Sequence, residues 1–316
     1  MQQHFLSIPK GIGSIFFILT SLFFCACEKT TEADCPEACA NDHLQHVKKV
    51  LLIGIDGCRS DALQAANTPN IDQLIVNSRY SWTLDRGNMD TWSGAGWSTM
   101  LTGVWPAKHG VTDDLYKGKN YGEYPSFLCR VKEASACFKT ASIVHYAAIN
   151  DEIVAACNAD ILRDYDEDKR VKEATTNFLN DCNMDVIFAH FDDVDHAGHR
   201  RGFHPSVPQY IDAIEQVDAN LKPILEAVYE REANKNEDWL IIVSTDQGGT
   251  IEGAQEAQDN NTAVTRVFGI FRTKNTANPG NLNYSPELVD IVPTIFNHLD
   301  IPINNTWNLD GFGVAL

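Results

Sequence analysis

Basic residues are scarce in this chain. It carries 25 Lys and Arg against 43 Asp and Glu, a formal net charge of −18. Long nucleic acids would be repelled by such a field, so no nucleic-acid polymer is expected as a partner. A small anion drawn in by metal ions is compatible with it, because an ion's own charge dominates its site. Internal repeats and tracts of low complexity are lacking as well. The apolar run Ile12 to Phe24 is too short for a comfortable membrane span. Histidine is missing from the whole stretch between His204 and His298.

The apolar run follows Lys10 and ends in FFCACEK, which reads as a secretory signal covering residues 1–27. Ala26 before Cys27 resembles a bacterial lipoprotein cleavage site. Cleavage there leaves a lipid on Cys27, which anchors a protein to a membrane surface without a spanning helix. A plain signal peptide cut elsewhere is the alternative. Export is expected either way, to the periplasm, the outer membrane or the cell surface. Residues 28–46 are polar and without period, a tether. Residues 47–316 suffice for one large α/β core. The 9 cysteines suit an exported protein. Local pairing predicts Cys35–Cys39, Cys129–Cys137 and Cys157–Cys182, with Cys58 free; spacing alone leaves other connectivities open.

What the chain does have is a set of apolar runs that end on acids. VLLIGIDG is a short, β-branched run ending at Asp56 and Gly57, which reads as a strand buried on both faces. DVIFAHFDDVDHAGHRRG carries Asp195 and His199 beyond its apolar start, and DWLIIVSTDQGG carries Asp246. Ligands of open α/β sheets bind outside the carboxyl ends of strands, so the acids are expected in one cleft suited to divalent metals. SGAGWSTMLTG opens with Ser93 in a Gly-rich turn and continues as a short helix. A hydroxyl there sits among free N–H groups at the positive end of the dipole. Further strands are expected at Tyr80–Leu84, Thr140–Val144, Ile161–Arg163, Val186–Ala189, Leu240–Val243 and Val267–Phe271. Helices are expected at Arg59–Ala66, Ile71–Asn77, Pro125–Ala134, Glu167–Asn180, Ser206–Arg231 with a kink or break at Pro223, and Pro286–Leu299. Asp113–Gly122 is read as a loop near the cleft. The alternation predicts a mostly parallel central sheet with helices on both faces.

These motifs, in this order from about Lys48 onward, resemble the type I phosphodiesterase/nucleotide pyrophosphatase branch of the alkaline phosphatase superfamily. The resemblance implies a Thr or Ser nucleophile and two divalent metal ions, usually zinc. Asp56 matches the family's first acid. Counting back from Thr102 and Gly103 places the nucleophile at Ser93, with Thr91 its rival. Asp195 to His199 matches D-x-x-G-H, and Asp246 the acid of the Asp-His-Gly motif. The implied metal ligands are Asp56, Ser93, Asp195, His199, Asp246 and Gln247. Gln247 stands where the family carries histidine, and GTIEGAQEAQ lacks the histidine expected next.

The implied activity is a metal-dependent hydrolase of phosphoric esters, of phosphodiester or nucleotide pyrophosphate type, acting on a small phosphoester through Ser93. A catalytically weak relative that binds an anionic ligand is the alternative. A Gln carbonyl suits Mn²⁺, Mg²⁺ or Ca²⁺ better than zinc, so altered metal preference and a decayed second site both remain open. A sulfatase is disfavoured, since no Cys-x-Pro-x-Arg string is present. His109 is read as a structural hydrogen-bonding residue. His190 and His204 are read as substitutes for a missing ligand at most, and Asp192, Asp193 and His196 as a solvated charged stretch.

Overall fold

The computed structural model describes Cys35 and residues 47–155, 157, 159–250 and 266–316. The expected leader and lipid site lie outside the described residues. So does most of the stretch in which a second histidine would have stood.

Eight strands form one sheet in the order β4-β3-β5-β1-β6-β7-β2-β8. They are β1 Lys48–Ile55, β2 Arg79–Asp85, β3 Thr140–Val144, β4 Ile161–Asp164, β5 Val186–Phe191, β6 Asp238–Ser244, β7 Arg266–Arg272 and β8 Gly280–Asn281. β1 lies between β5 and β6, parallel to both, and β3 is parallel to β4 and β5. Only β7 runs antiparallel to its neighbours β6 and β2. The sheet is therefore mostly parallel, as expected. Buried side chains alternate between its faces: Leu51, Ile53 and Ile55 join one apolar cluster, Val50 and Leu52 the other.

The first face is covered by α1 Ser60–Ala65, α2 Pro69–Val76, α6 Asp168–Asp181 and α8 Pro208–Asn234. The second is covered by α3 Ser93–Thr102, α5 Phe127–Ala134, a π-helical turn Ile149–Val154 and α9 Ile291–His298. Two further short helices among the described residues are α4 Pro106–His109 and α7 Asp193–Arg201. No helix among the described residues is long and apolar enough to cross a membrane.

Some expectations are corrected. α8 runs unbroken through Pro223. A proline inside a helix costs roughly 3 kcal/mol, and the burial of Leu221, Ile224, Leu225 and Val228 around it outweighs that. Pro286 is extended rather than helical: its carbonyl accepts from Asp85 N–H at 2.8 Å, and a 3₁₀ turn Leu288–Asp290 precedes α9. The charged stretch after β5 is a helix, α7, with Val194, Asp195, Ala197 and Gly198 on its buried side.

Among the described residues Cys35 pairs with Cys182 and Cys129 with Cys157, in place of the local pairs. Cys157 packs in the cluster on one face of the sheet and Cys182 in the cluster on the other, so they cannot meet. Cys129 on α5 comes within a Cα–Cα distance of 4.6 Å of Cys157. Cys137 is disulfide-bonded too, but not to Cys129. Cys58 is free and buried, as expected.

Candidate active site

Strand register places the acids. Gly54 pairs with His190 on β5 and with Ser244 on β6. Two residues further along, each chain has passed the sheet edge, and Asp56, Asp192 and Asp246 stand at one level. Asp195 joins them from the first turn of α7. All are buried, at 1%, 7%, 0% and 7% exposure in the order Asp56, Asp192, Asp246, Asp195.

Gly57 makes the turn after Asp56 at φ +63°, a region open to glycine at little cost. A Cβ there would lie 2.7 Å from Asp195 Oδ1, so the position also lets α7 approach β1. Phe203 fixes the same junction. Its ring occupies the space that Cβ atoms on Gly57, Gly198 and Gly249 would need. Tyr210 Oη donates to Gly57 O at 2.5 Å and accepts from Arg59 N–H at 2.9 Å. The Arg59 guanidinium donates to Phe203 O and Gly249 O. The loops after β1, α7 and β6 are thus locked together before any ligand binds.

Ser93 is the first residue of α3. Its Oγ donates to Asp56 Oδ1 at 3.2 Å and accepts from Gln247 Nε2 at 2.8 Å. Asp56 Oδ2 accepts from Trp97 Nε1 at 2.7 Å and lies 3.1 Å from His190 Nε2. Trp97, one turn along α3, is fully buried against Phe188 and His190. Gly54 gives its indole room, since a Cβ there would fall 2.3 Å from the ring. Gly96 similarly lets α3 meet Asp246, 2.8 Å from its Cβ. Ser93, and not Thr91, is the hydroxyl held against Asp56.

The expected free helix N-terminus is partly taken. Gly94 N–H donates to Asp114 Oδ1 at 2.7 Å, so a carboxylate stands where an anion would dock. Burial and the nearby Asp56 push the Asp114 carboxyl above its ordinary pKa.

Asp195 and His199 are four residues apart on α7, with His199 Nε2 3.0 Å from Asp195 Oδ2. Gln247 reaches the site through its amide nitrogen, as a donor to Ser93. Asp192 enters the site unexpectedly, and His190, read as at most a substitute ligand, enters it too. His190 is fully buried, and ligand atoms of Asp56, His190 and Asp192 all lie within 4.8 Å of one another. His204 instead lies by Ser206, 2.7 Å from its Oγ. His109 is structural as expected, 2.9 Å from Thr99 Oγ1.

Electrostatics point to cations. Burial, then the neighbouring carboxylates, pushes Asp192 up to about 9. Burial likewise lifts Asp195 to about 6, against the pull of His199, and holds Asp246 well above its usual range. Asp56 alone is held low, because hydrogen bonds from His190 and Trp97 outweigh its desolvation. The buried Arg86 is the nearby cation, but it is spent on backbone: its Nε donates to Asp246 O at 3.1 Å, and its terminal nitrogens to Met89 O and Asp90 O. Asp195 Oδ1 and Asp246 Oδ2 are buried without a hydrogen-bond partner among the described residues. Unpaired oxygens among desolvated like charges fit divalent metal ions.

One family model matches the chain. Residues 50–266 match the model of the type I phosphodiesterase / nucleotide pyrophosphatase family. The chain is 30% identical over 140 residues to GPI ethanolamine phosphate transferase 3 of Schizosaccharomyces pombe, covering 43% of this chain and 14% of that protein. It is 24% identical over 251 residues to ectonucleotide pyrophosphatase/phosphodiesterase family member 3 of Mus musculus, covering 71% of this chain and 26% of that one. The chain thus spans about a quarter or less of the length of these relatives. Among solved structures, murine ectonucleotide pyrophosphatase/phosphodiesterase 5, an inactive variant in complex with AMP, superposes with a TM-score of 0.62 at 13% identity. That match covers 83% of this chain and 99% of the other, and it shows a shared fold.

Proposed function

The chain belongs to the type I phosphodiesterase / nucleotide pyrophosphatase family, and we propose that it hydrolyses small phosphoric esters, of phosphodiester or nucleotide pyrophosphate type, through Ser93. The observation that carries this reading is the position of Ser93 Oγ. It sits at the start of α3, bonded to Asp56, while Asp246, close to Gly96 on the same helix, keeps an oxygen without a partner among the described residues. Asp56 accepts the Ser93 proton in its hydrogen bond and so aims an oxygen lone pair outward. Gln247 donates to the same oxygen, which steadies negative charge as it grows there. Trp97 and His190 fix the Asp56 carboxylate from behind.

The residues suited to hold two divalent metals are Asp56, Ser93 and Asp246 on one side, with Gln247 joining them only if its amide turns its oxygen toward the ion, and Asp195 and His199 on the other. His190 and Asp192 add donors beside Asp56. When bound, such ions lower the pKa of a coordinated hydroxyl or water and neutralise phosphoryl charge. A secreted, lipid-anchored form tethered at Cys27 belongs to the same proposal, and intact mass of the native protein reads it directly.

A second reading is favoured by one observation. The amide of Gln247 points its nitrogen, a poor metal ligand, at the nucleophile. A protein that keeps the cleft to bind an anion but turns over slowly would tolerate this. The test is hydrolysis of a chromogenic phosphodiester by the parent and by Ser93→Ala, across Zn²⁺, Mn²⁺, Mg²⁺ and Ca²⁺. Activity that disappears in Ser93→Ala supports the first reading. Activity that survives Ser93→Ala removes Ser93 as nucleophile, and silence with every metal favours the binding protein.

A further inference from the structure

We propose that His145, Asp193 and His196 form an additional divalent metal site on the outer side of the cleft, separate from the Ser93 centre. The proposal does not depend on the hydrolase reading. His145 follows β3, while Asp193 and His196 lie on the first turn of α7. A spacing of three puts the latter two on one face of the helix. Each of the three offers one ligand atom, and these atoms lie within 4.8 Å of one another. Three ligand atoms on one metal with bonds of about 2.1 Å lie roughly 3.5 Å from one another, so closure draws the side chains together by up to about 1 Å. Asp193 and His196 can supply it, since their side chains are 46% and 44% exposed.

A second observation makes this more than a chance cluster. Asp168 is fully buried at the start of α6, and it ties both halves of the site together. Its Oδ1 lies 2.8 Å from His145 Nδ1 and accepts from Asp192 N–H at 2.8 Å. Its Oδ2 accepts from Asp193 N–H at 3.1 Å. A carboxylate on one ring nitrogen fixes the tautomer and leaves the other nitrogen as the donor, which is how metal-ligating histidines are oriented. The His145 and His196 rings stand 5.2 Å apart at 87°. His145 and His196 line a cavity of about 720 Å³ shared with Tyr146, Tyr165, Arg170 and Asp192, so open coordination positions on that side would face a space large enough for a ligand. Two imidazoles and one carboxylate select zinc or cobalt over calcium and magnesium.

The experiment titrates the metal-free full chain with Zn²⁺, with stoichiometry checked by elemental analysis. His196→Ala and Asp193→Asn should each bind one equivalent fewer than the parent, and Asp56→Ala should keep that equivalent. With Co²⁺ as probe, the visible absorption of the parent should lose one component in His196→Ala. His145→Ala is the riskier variant, because it also unpairs buried Asp168; the two exposed positions keep the test valid if it fails to fold. Undiminished stoichiometry in both His196→Ala and Asp193→Asn overturns the site. So does a double variant Asp56→Ala/His196→Ala that binds as much as Asp56→Ala alone, since His196 would then serve the cleft rather than its own ion.

Discussion

Gln247 Nε2 donates to Ser93 Oγ over 2.8 Å, at the position where a histidine of the family's metal-binding motif is expected. An amide is neutral and hard, whereas imidazole is the softer ligand and suits zinc. Gln247→His should therefore strengthen zinc binding and shift the metal optimum of phosphodiester hydrolysis toward Zn²⁺. The shift should exceed tenfold in the ratio of Zn²⁺ to Mn²⁺ activity. An unchanged ratio would mean that residue 247 acts only by holding Ser93.

Asp246 gives a prediction on stability. Its Oδ2 is buried without a partner among the described residues, and burial together with Asp56 and Asp195 opposes its ionisation. Asp246→Asn keeps the shape and deletes the charge. In chelator the variant should melt above the parent, and added Zn²⁺ or Mn²⁺ should raise only the parent. At 100 times the dissociation constant a ligand contributes about 2.7 kcal/mol, which is several degrees for a domain of this size. Differential scanning fluorimetry with and without metal measures both. A variant that melts lower in chelator, or gains as much from metal as the parent, contradicts the role given to Asp246.

How far the sequence reveals this site follows from where each residue stands. Asp56 and Asp246 are legible because a charged residue at the end of a continuous apolar strand is unusual. Ser93 is legible from its Gly-rich turn. Asp192 is not, and His190 is legible only as a substitute for a missing ligand, although ligand atoms of both lie within 4.8 Å of one of Asp56's. β5 is buried on both faces, so no alternation marks His190 as the residue facing Trp97. Its position depends on pairing with Gly54, a contact made across 136 residues of chain. α7 reads as a loop because its buried stripe is narrow and all of it but Val194 is acid, glycine or alanine. Arg86 was equally hidden: its partners are backbone carbonyls, which leave no mark on side-chain patterns.

On the proposed function, Asp114 stands where an anionic substrate would approach Ser93. Its carboxylate holds Gly94 N–H at 2.7 Å, beside Ser93. Asp114→Asn retains an acceptor oxygen for that N–H while removing a negative charge near the reacting oxygen. Inhibition by inorganic phosphate or vanadate should strengthen several-fold, and KM for an anionic ester should fall more than kcat changes. Comparison with Asp114→Ala separates charge from the hydrogen bond. If Asn weakens anion binding as much as Ala does, the hydrogen bond to Gly94 is what matters and charge repulsion is minor.

His109 predicts how stability responds to acid. The ring is fully buried beside α3. Its Nδ1 accepts from Val111 N–H at 3.1 Å, so the proton resides on Nε2, which donates to Thr99 Oγ1 at 2.9 Å. A second proton would break the Val111 bond and bury a charge. Burial accordingly lowers the pKa from 6.5 to about 4. The neutral form is the folded one, so this contribution is complete above pH 6.5, the unfolded value, and is lost as pH falls toward about 4. A difference of 6.5 − 4 = 2.5 in pKa corresponds to about 3 kcal/mol at full protonation of the unfolded chain. His109→Gln can still hydrogen-bond but cannot titrate. Urea unfolding in chelator at pH 7.5 and pH 4.5 should therefore show the variant less stable than the parent at the higher pH, with most of that deficit gone at the lower. Other acidic and imidazole groups titrate alike in both proteins and cancel in the comparison. A deficit of equal size at both pH values would show that His109 carries no pH-dependent stability.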